Sequence, residues 1–164
     1  MKVGVRSLRV QVADQTLHWL EDGLTYRISP CSTAARGVGE RRGSEQTPRG
    51  RHVIRASIGA GCAAGTVFVG RRPTGEIWTA QLAAQYPERD WILTRILWLS
   101  GLQPGFNRLH DVDSMRRYIY IHATAPTEPM GVPRSHGCIR LHDGELLALF
   151  DWVHPGCEVE IVAP

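Results

Sequence analysis

From its eighth residue the chain alternates: Leu8, Val10 and Val12 are interleaved with Arg9, Gln11 and Ala13. A two-residue period suits a strand with one buried face and does not suit a helix. Leu17 and Trp19 continue the pattern, and Glu21-Asp22-Gly23 interrupts it before Leu24, so a hairpin is expected with Thr25 to Ser29 in its returning strand. Thr47-Pro48-Arg49-Gly50 reads as a turn leading into a strand from Arg51 to Ser57, and Gly59, Gly61, Gly65 and Gly70 divide a second region of short strands. Residues 33–50, rich in Gly, Arg and polar side chains, are expected to form an exposed loop. Tyr118 to His122, YIYIH, is β-branched and aromatic enough to be a strand, and Glu158 to Val162 closes the chain on another. Helical signals are few. Pro87 to Leu99 holds the best candidate before the C-terminus, although Trp91-Ile92-Leu93 and Ile96-Leu97-Trp98-Leu99 fit a buried strand equally well. Asp143 is expected to cap a helix from Gly144 to about Val153, with Leu146, Leu147, Leu149 and Phe150 as its buried stripe. The expected fold class is mainly β with one or two helices, in one domain spanning residues 1–164.

Composition narrows the function. Hydrophobic residues make up 43% and charged residues 21% of 164, which excludes disordered, collagen-like and coiled-coil chains. The formal net charge of +3 is too small to argue for nucleic acid. Lys2 is the sole lysine beside 18 arginines, and six of these lie in a basic segment from Arg36 to Arg55 that reads as a solvated loop. No apolar run approaches the ~18 residues of a membrane span, and the N-terminus lacks the h-region and cleavage site of a signal peptide. A cytoplasmic protein without membrane attachment is therefore expected, or a periplasmic one if a leader was trimmed. Cys31, Cys62, Cys138 and Cys157 form no CxxC pair, so neither disulfides nor a zinc site is expected.

The chemistry concentrates in residues 118–141, YIYIHATAPTEPMGVPRSHGCIRL. A nucleophilic cysteine needs a base or a positive neighbour, access, and donors for the oxyanion. His122 ends a strand and lies 16 residues before Cys138, a spacing that lets the loop fold the imidazole against the sulfur. Gly137 lets a substrate carbonyl approach the backbone closely, making the N–H groups of Gly137 and Cys138 candidate oxyanion donors. His122 is expected to lower the proton affinity of the Cys138 thiol, so that Cys138 reacts with thiol reagents faster than the other three cysteines.

This segment resembles the L,D-transpeptidase (YkuD) family of peptidoglycan enzymes. The family's histidine, followed by a small residue and Thr, then about a dozen residues, then Ser/Thr-His-Gly-Cys, an apolar residue and Arg or Asn, is matched by His122-Ala123-Thr124 and Ser135-His136-Gly137-Cys138-Ile139-Arg140. Thr47 to Ile54, TPRGRHVI, is similar to the family's Thr-Pro-x-Gly turn and following strand, and residues 8–20 to its opening strands with a turn glutamine. Ala123 stands where Gly is common. The resemblance implies a β-sandwich of the family's type and a cysteine enzyme that uses no cofactor and no metal. Cys138 would attack the carbonyl of the L-centred third residue of a stem peptide, His122 would take the thiol proton, and the Ala123 carbonyl would fix the His122 tautomer. His136 is either structural or catalytic. Arg140 either meets a substrate carboxylate or pins the loop, and Ser135 would contact substrate. The implied partners are tetrapeptide muropeptides, with carbapenems as inhibitors. The expected leaderless location makes water the acceptor, in an L,D-carboxypeptidase of murein recycling. The alternatives are an L,D-transpeptidase that crosslinks or exchanges D-amino acids, and a non-catalytic stem-peptide binding module.

Overall fold

The computed structural model describes residues 2–164. The hairpin expected around Asp22-Gly23 is present, and with the strand before it forms a three-stranded meander: β1 (Arg6–Gln11), β2 (Thr16–Glu21) and β3 (Leu24–Pro30). Leu8 lies opposite Trp19 and Val10 opposite Leu17, and all four side chains are fully buried. Burial of each such side chain contributes roughly 1.5–3 kcal/mol. The closing strand β10 (Glu158–Val162) pairs in parallel with β1, then antiparallel with β4 (Gly50–Ile58), which is followed by β7 (Leu93–Gly101). Beyond β7 come β8 (Tyr120–Ala123) and, parallel to it, β9 (Ile139–Leu141). A small hairpin, β5 (Thr66–Val69) and β6 (Arg72–Ile77), joins β7 at Leu93.

Both ends of this sheet contribute to one core, in which Leu8, Trp19 and Ile161 are joined by Leu97, Ile121, Ile139 and Leu141. The two layers of the sandwich are thus parts of a single hydrogen-bonded sheet. The chain after β3 helps to close it. Ser32 and Arg140 exchange backbone hydrogen bonds at 2.9 and 3.0 Å, and the Ser135 N–H donates to the Thr33 carbonyl at 2.9 Å. Gln15, in the left-handed region at φ 54°, holds that segment. Its amide donates to Thr33 Oγ1 at 2.7 Å and accepts from the Thr33 N–H at 2.8 Å.

The expected exposed loop of residues 33–50 is therefore only partly exposed. Thr33, Ala34 and Thr47 are buried, because the segment is stitched to residues 134–140. The run around Trp91 to Leu99 resolves as strand β7, buried at Leu93, Ile96, Leu97 and Leu99. The helix in this part of the chain is instead α1 (Ala80–Gln85), capped by Thr79 Oγ1 accepting from the Leu82 N–H at 3.0 Å. The second helix, α2 (Asp143–Trp152), buries Leu146 and Leu149, with Phe150 packed partly against the core. Asp143 is not its cap. His142 occupies that position without a side-chain bond, and the Asp143 carboxylate instead accepts from the buried Thr94 hydroxyl. The YIYIH strand starts two residues late because Tyr118 is left-handed at φ 57°.

Candidate active site

Parallel pairing of β8 with β9 sets Ile121 beside Ile139 and His122 beside Arg140. Alternation then sorts the side chains. Ile121, Ala123, Ile139 and Leu141 enter the core, while Tyr120, His122, Cys138 and Arg140 line a cavity of about 480 Å³ on the other face. Cys138 immediately precedes β9, so its sulfur lies against the start of β8. The Tyr120 N–H donates to Sγ at 3.4 Å, and Sγ–H donates to the Tyr118 carbonyl at 3.4 Å. The left-handed turn at Tyr118 thus sits at the carbonyl that accepts the thiol's hydrogen bond.

His122 is buried, and its Nδ1 contacts the Ala123 carbonyl at 2.6 Å. Nδ1 must carry the proton to make that contact, which leaves Nε2 as the basic nitrogen. Burial lowers the proton affinity of His122. The Ala123 carbonyl and the Asp90 charge oppose that effect, and Arg140 adds to it. Burial also pushes the Cys138 thiol up to about 12, against smaller lowering effects from the Tyr120 N–H, Arg140 and Arg117. His122 is not among the groups that lower the Cys138 thiol here, so the expected activation does not come from the unliganded arrangement. Burial disfavours both ions and so favours a neutral thiol and a neutral imidazole, with the S–H directed at the Tyr118 carbonyl. His122 and Cys138 line the same cavity without a hydrogen bond between them.

The Ser135-His136-Gly137 turn is fixed from below. Ser135 Oγ–H donates to the Cys138 carbonyl at 2.6 Å and accepts from the Gly137 N–H at 3.1 Å. The Ser135 hydroxyl is thereby committed to the turn, although substrate contact was expected of it. The same bond occupies the Gly137 N–H, one of the two expected oxyanion donors. Among the described residues the Cys138 N–H meets no acceptor and remains available. Thr47 Oγ1–H donates to the Gly137 carbonyl at 2.9 Å and accepts from the Ala34 N–H at 3.0 Å, so the Thr-Pro-x-Gly turn buttresses the turn that carries Cys138. His136 is 61% exposed in its side chain, with Nδ1 3.3 Å from Asp90 Oδ2. Arg140 is buried. It donates to Asp90 Oδ1 at 2.8 Å and to the Arg134 carbonyl at 3.2 Å, which fits the loop-pinning alternative.

The sequence reading missed Asp90 and Arg117. Asp90 lies 32 residues before His122, outside any local motif. Arg117 lines a second cavity of about 240 Å³ that also reaches Cys138, together with Arg42, Arg116 and Glu45. Its guanidinium donates to the carbonyls of Gly39, Glu40 and Gln46 and to Ser44 Oγ, at 2.6 to 3.3 Å. That ties much of the basic segment beside the sulfur. All four cysteines are free thiols, and no group of three or more His, Cys, Asp or Glu among the described residues could hold a metal ion.

The family model for the YkuD L,D-transpeptidase catalytic domain matches residues 6–161. The chain belongs to that family. Its fold is shared with solved L,D-transpeptidases. One from Mycobacterium smegmatis superposes with a TM-score of 0.56 at 18% identity, covering 98% of this chain and 59% of that one. L,D-transpeptidase 1 from Mycobacterium tuberculosis gives 0.54 at 20% identity, over 98% and 62% of the two chains. An L,D-transpeptidase in complex with imipenem gives 0.56 at 16% identity, over 97% and 59%. The chain thus spans about three fifths of the length of these solved L,D-transpeptidases. No curated protein matches it in sequence comparison.

Proposed function

We propose that this L,D-transpeptidase-family domain performs cysteine-dependent acyl transfer on peptidoglycan stem peptides, cleaving the bond between the L-centred third residue and the terminal D-alanine. The observation that carries the reading is the Cys138–His122–Ala123 arrangement: a thiol at the cavity wall, an imidazole with Nε2 left basic, and a carbonyl holding Nδ1–H. Nε2 takes the thiol proton as Sγ bonds to the substrate carbonyl carbon, whose π electrons pass to oxygen. The unpaired Cys138 N–H is the oxyanion donor. The tetrahedral species collapses as the C–N bond breaks, and His122 returns the proton to the departing amine, leaving a thioester on Cys138. No step draws on a metal or an organic cofactor. His136, exposed at the cavity rim, is available to a substrate carbonyl, and Arg140 shapes the wall.

Water attacks the thioester with His122 as base, giving an L,D-carboxypeptidase that converts tetrapeptides to tripeptides, a reaction suited to murein recycling in the cytoplasm. A second reading rests on the second cavity. A nucleophile open on two sides can take a donor through one and an amine acceptor through the other, and the arginines around the smaller opening suit an acceptor that carries a carboxylate. That outcome is L,D-transpeptidation or D-amino acid exchange. Mass spectrometry of a diaminopimelate tetrapeptide incubated with the protein, with and without a D-amino acid, separates them. Loss of one alanine supports the carboxypeptidase, and exchange or dimer formation supports the transpeptidase. Absence of both, or persistence of either in Cys138→Ala, contradicts the reading.

A further inference from the structure

We propose that Asp90 is a positioning residue of this site, whose carboxylate holds Arg140 and His136 in place and supplies the negative charge against which the His122 imidazolium forms. This rests on the acyl-transfer reading above and extends it to a residue outside the motif.

Asp90 sits on the segment joining α1 to β7, between two anchored neighbours. Trp91 is buried in the main core, and Arg89 binds both carboxylate oxygens of Glu76 on β6, at 2.7 and 3.2 Å. Between those anchors the Asp90 carboxylate reaches the cavity that holds His122 and Cys138, with Arg140 on one oxygen and His136 on the other. The need for such a group follows from the β8–β9 register. His122 is the cross-strand neighbour of Arg140. When His122 accepts the thiol proton, two cations lie side by side, an arrangement that is destabilising in a sheet. Arg140 is buried, its Nε finds no partner, and its other carboxylate neighbour, Glu128 on the loop between β8 and β9, is 3.9 Å away. Among the described residues Asp90 is therefore the nearest carboxylate to Arg140, and it lines the same cavity as both imidazoles.

Glu88 and Arg89 beside it, Arg71 between β5 and β6, and Glu128 and Arg134 on the loop between β8 and β9 also border Asp90, but the three groups that act on it most are His122 on β8, Arg140 on β9 and His136 on the turn before β9. Burial would raise the Asp90 carboxyl, yet those three groups and the Arg140 hydrogen bond hold it below the usual carboxylate range, so it stays ionised. Its charge favours the protonated form of His122 and also that of Cys138. One carboxylate thus moves both members of the pair in the same direction, which sets the pH window in which thiol and imidazole are both neutral.

The test uses Asp90→Asn, which keeps the shape, and Asp90→Glu, which keeps the charge, both checked for an unchanged thermal transition. Two profiles are read: kcat/KM for tetrapeptide cleavage against pH, and the iodoacetamide rate at Cys138 against pH by site-resolved peptide mass spectrometry. In Asp90→Asn the acid limb of kcat/KM and the alkylation limb of Cys138 both move to lower pH. Asp90→Glu restores both. A purely structural Asp90 would change KM or thermal stability and leave the limbs in place, and unmoved limbs in Asp90→Asn overturn the proposal. The alkylation profile needs no substrate, so it tests Asp90 even if the tetrapeptide proves not to be cleaved.

Discussion

Gly137 bears on the nucleophile through its backbone alone, which makes Gly137→Ala a sharp perturbation. Its φ is +134°, a region that L side chains rarely enter, at a cost of about 1–3 kcal/mol. The added methyl would sit 3.3 Å from the Gln46 carbonyl oxygen, 3.5 Å from Ile119 Cδ1 and 3.9 Å from Arg117 Nη2. That carbonyl cannot retreat freely, since Arg117 Nη2 donates to it at 2.6 Å. The Gly137 carbonyl is also fixed, by Thr47 Oγ1 at 2.9 Å. Strain and crowding together amount to about 2 kcal/mol, and at this chain length that lowers the Tm by about 4–8 °C. Relief comes by rotating the turn, which moves the Cys138 N–H and Sγ away from the reacting carbonyl. Misplacement on that scale costs up to about 100-fold in rate. Thermal unfolding and tetrapeptide turnover on the same preparations measure both. A Gly137→Ala protein with wild-type Tm and wild-type kcat/KM would refute the claim that this turn positions the nucleophile.

His52 gives the fold a pH dependence of its own. It is fully buried on β4, with Nδ1 3.1 Å from the Gly50 carbonyl and Nε2 2.8 Å from Ser114 Oγ, and burial lowers it from 6.5 to about 4. The unfolded chain binds a proton below pH 6.5 that the folded chain refuses until about 4. The stabilisation, about 3 kcal/mol, is therefore complete above that window and lost within it as pH falls. Urea titrations across the window should show the loss, with a shallower slope in His52→Gln, and an unchanged slope in that variant contradicts the assignment. The proposed Cys138 nucleophile predicts that imipenem, a β-lactam acylating agent, leaves one covalent adduct on Cys138 and none on Cys31, Cys62 or Cys157. Intact-mass and peptide mapping check this, and an adduct that persists in Cys138→Ala opposes it.

The strands with one buried face were legible because their side chains alternate: β1, β2 and β10 follow directly from Leu8, Val10, Leu17, Trp19, Val159 and Ile161. Strand β7 was ambiguous because it is buried on much of both faces, and a continuous apolar run has no period to read. Helix α1 has six residues and buries none of them, so it left no apolar stripe. Cys138 and His122, the proposed nucleophile and base, could be paired in the sequence because the loop between β8 and β9 keeps them 16 residues apart, and the structure sets both on one cavity. Asp90 and Arg117 were hidden by the opposite circumstance. Each reaches the site from a distant segment, and nothing in the local sequence separates Asp90 from a solvated carboxylate or Arg117 from its neighbour Arg116. The thiol's high proton affinity was also out of reach, because it comes from burial created by the assembled sheet.

The central claim is a thioester on Cys138, and rapid-quench intact-mass spectrometry during tetrapeptide turnover tests it most directly. The account predicts a transient species heavier by the tripeptide acyl group, mapping to Cys138, lost in Cys138→Ala, and slow to form in His122→Ala. Turnover with no such species under any quench condition, or an acyl group mapped to another residue, would contradict it.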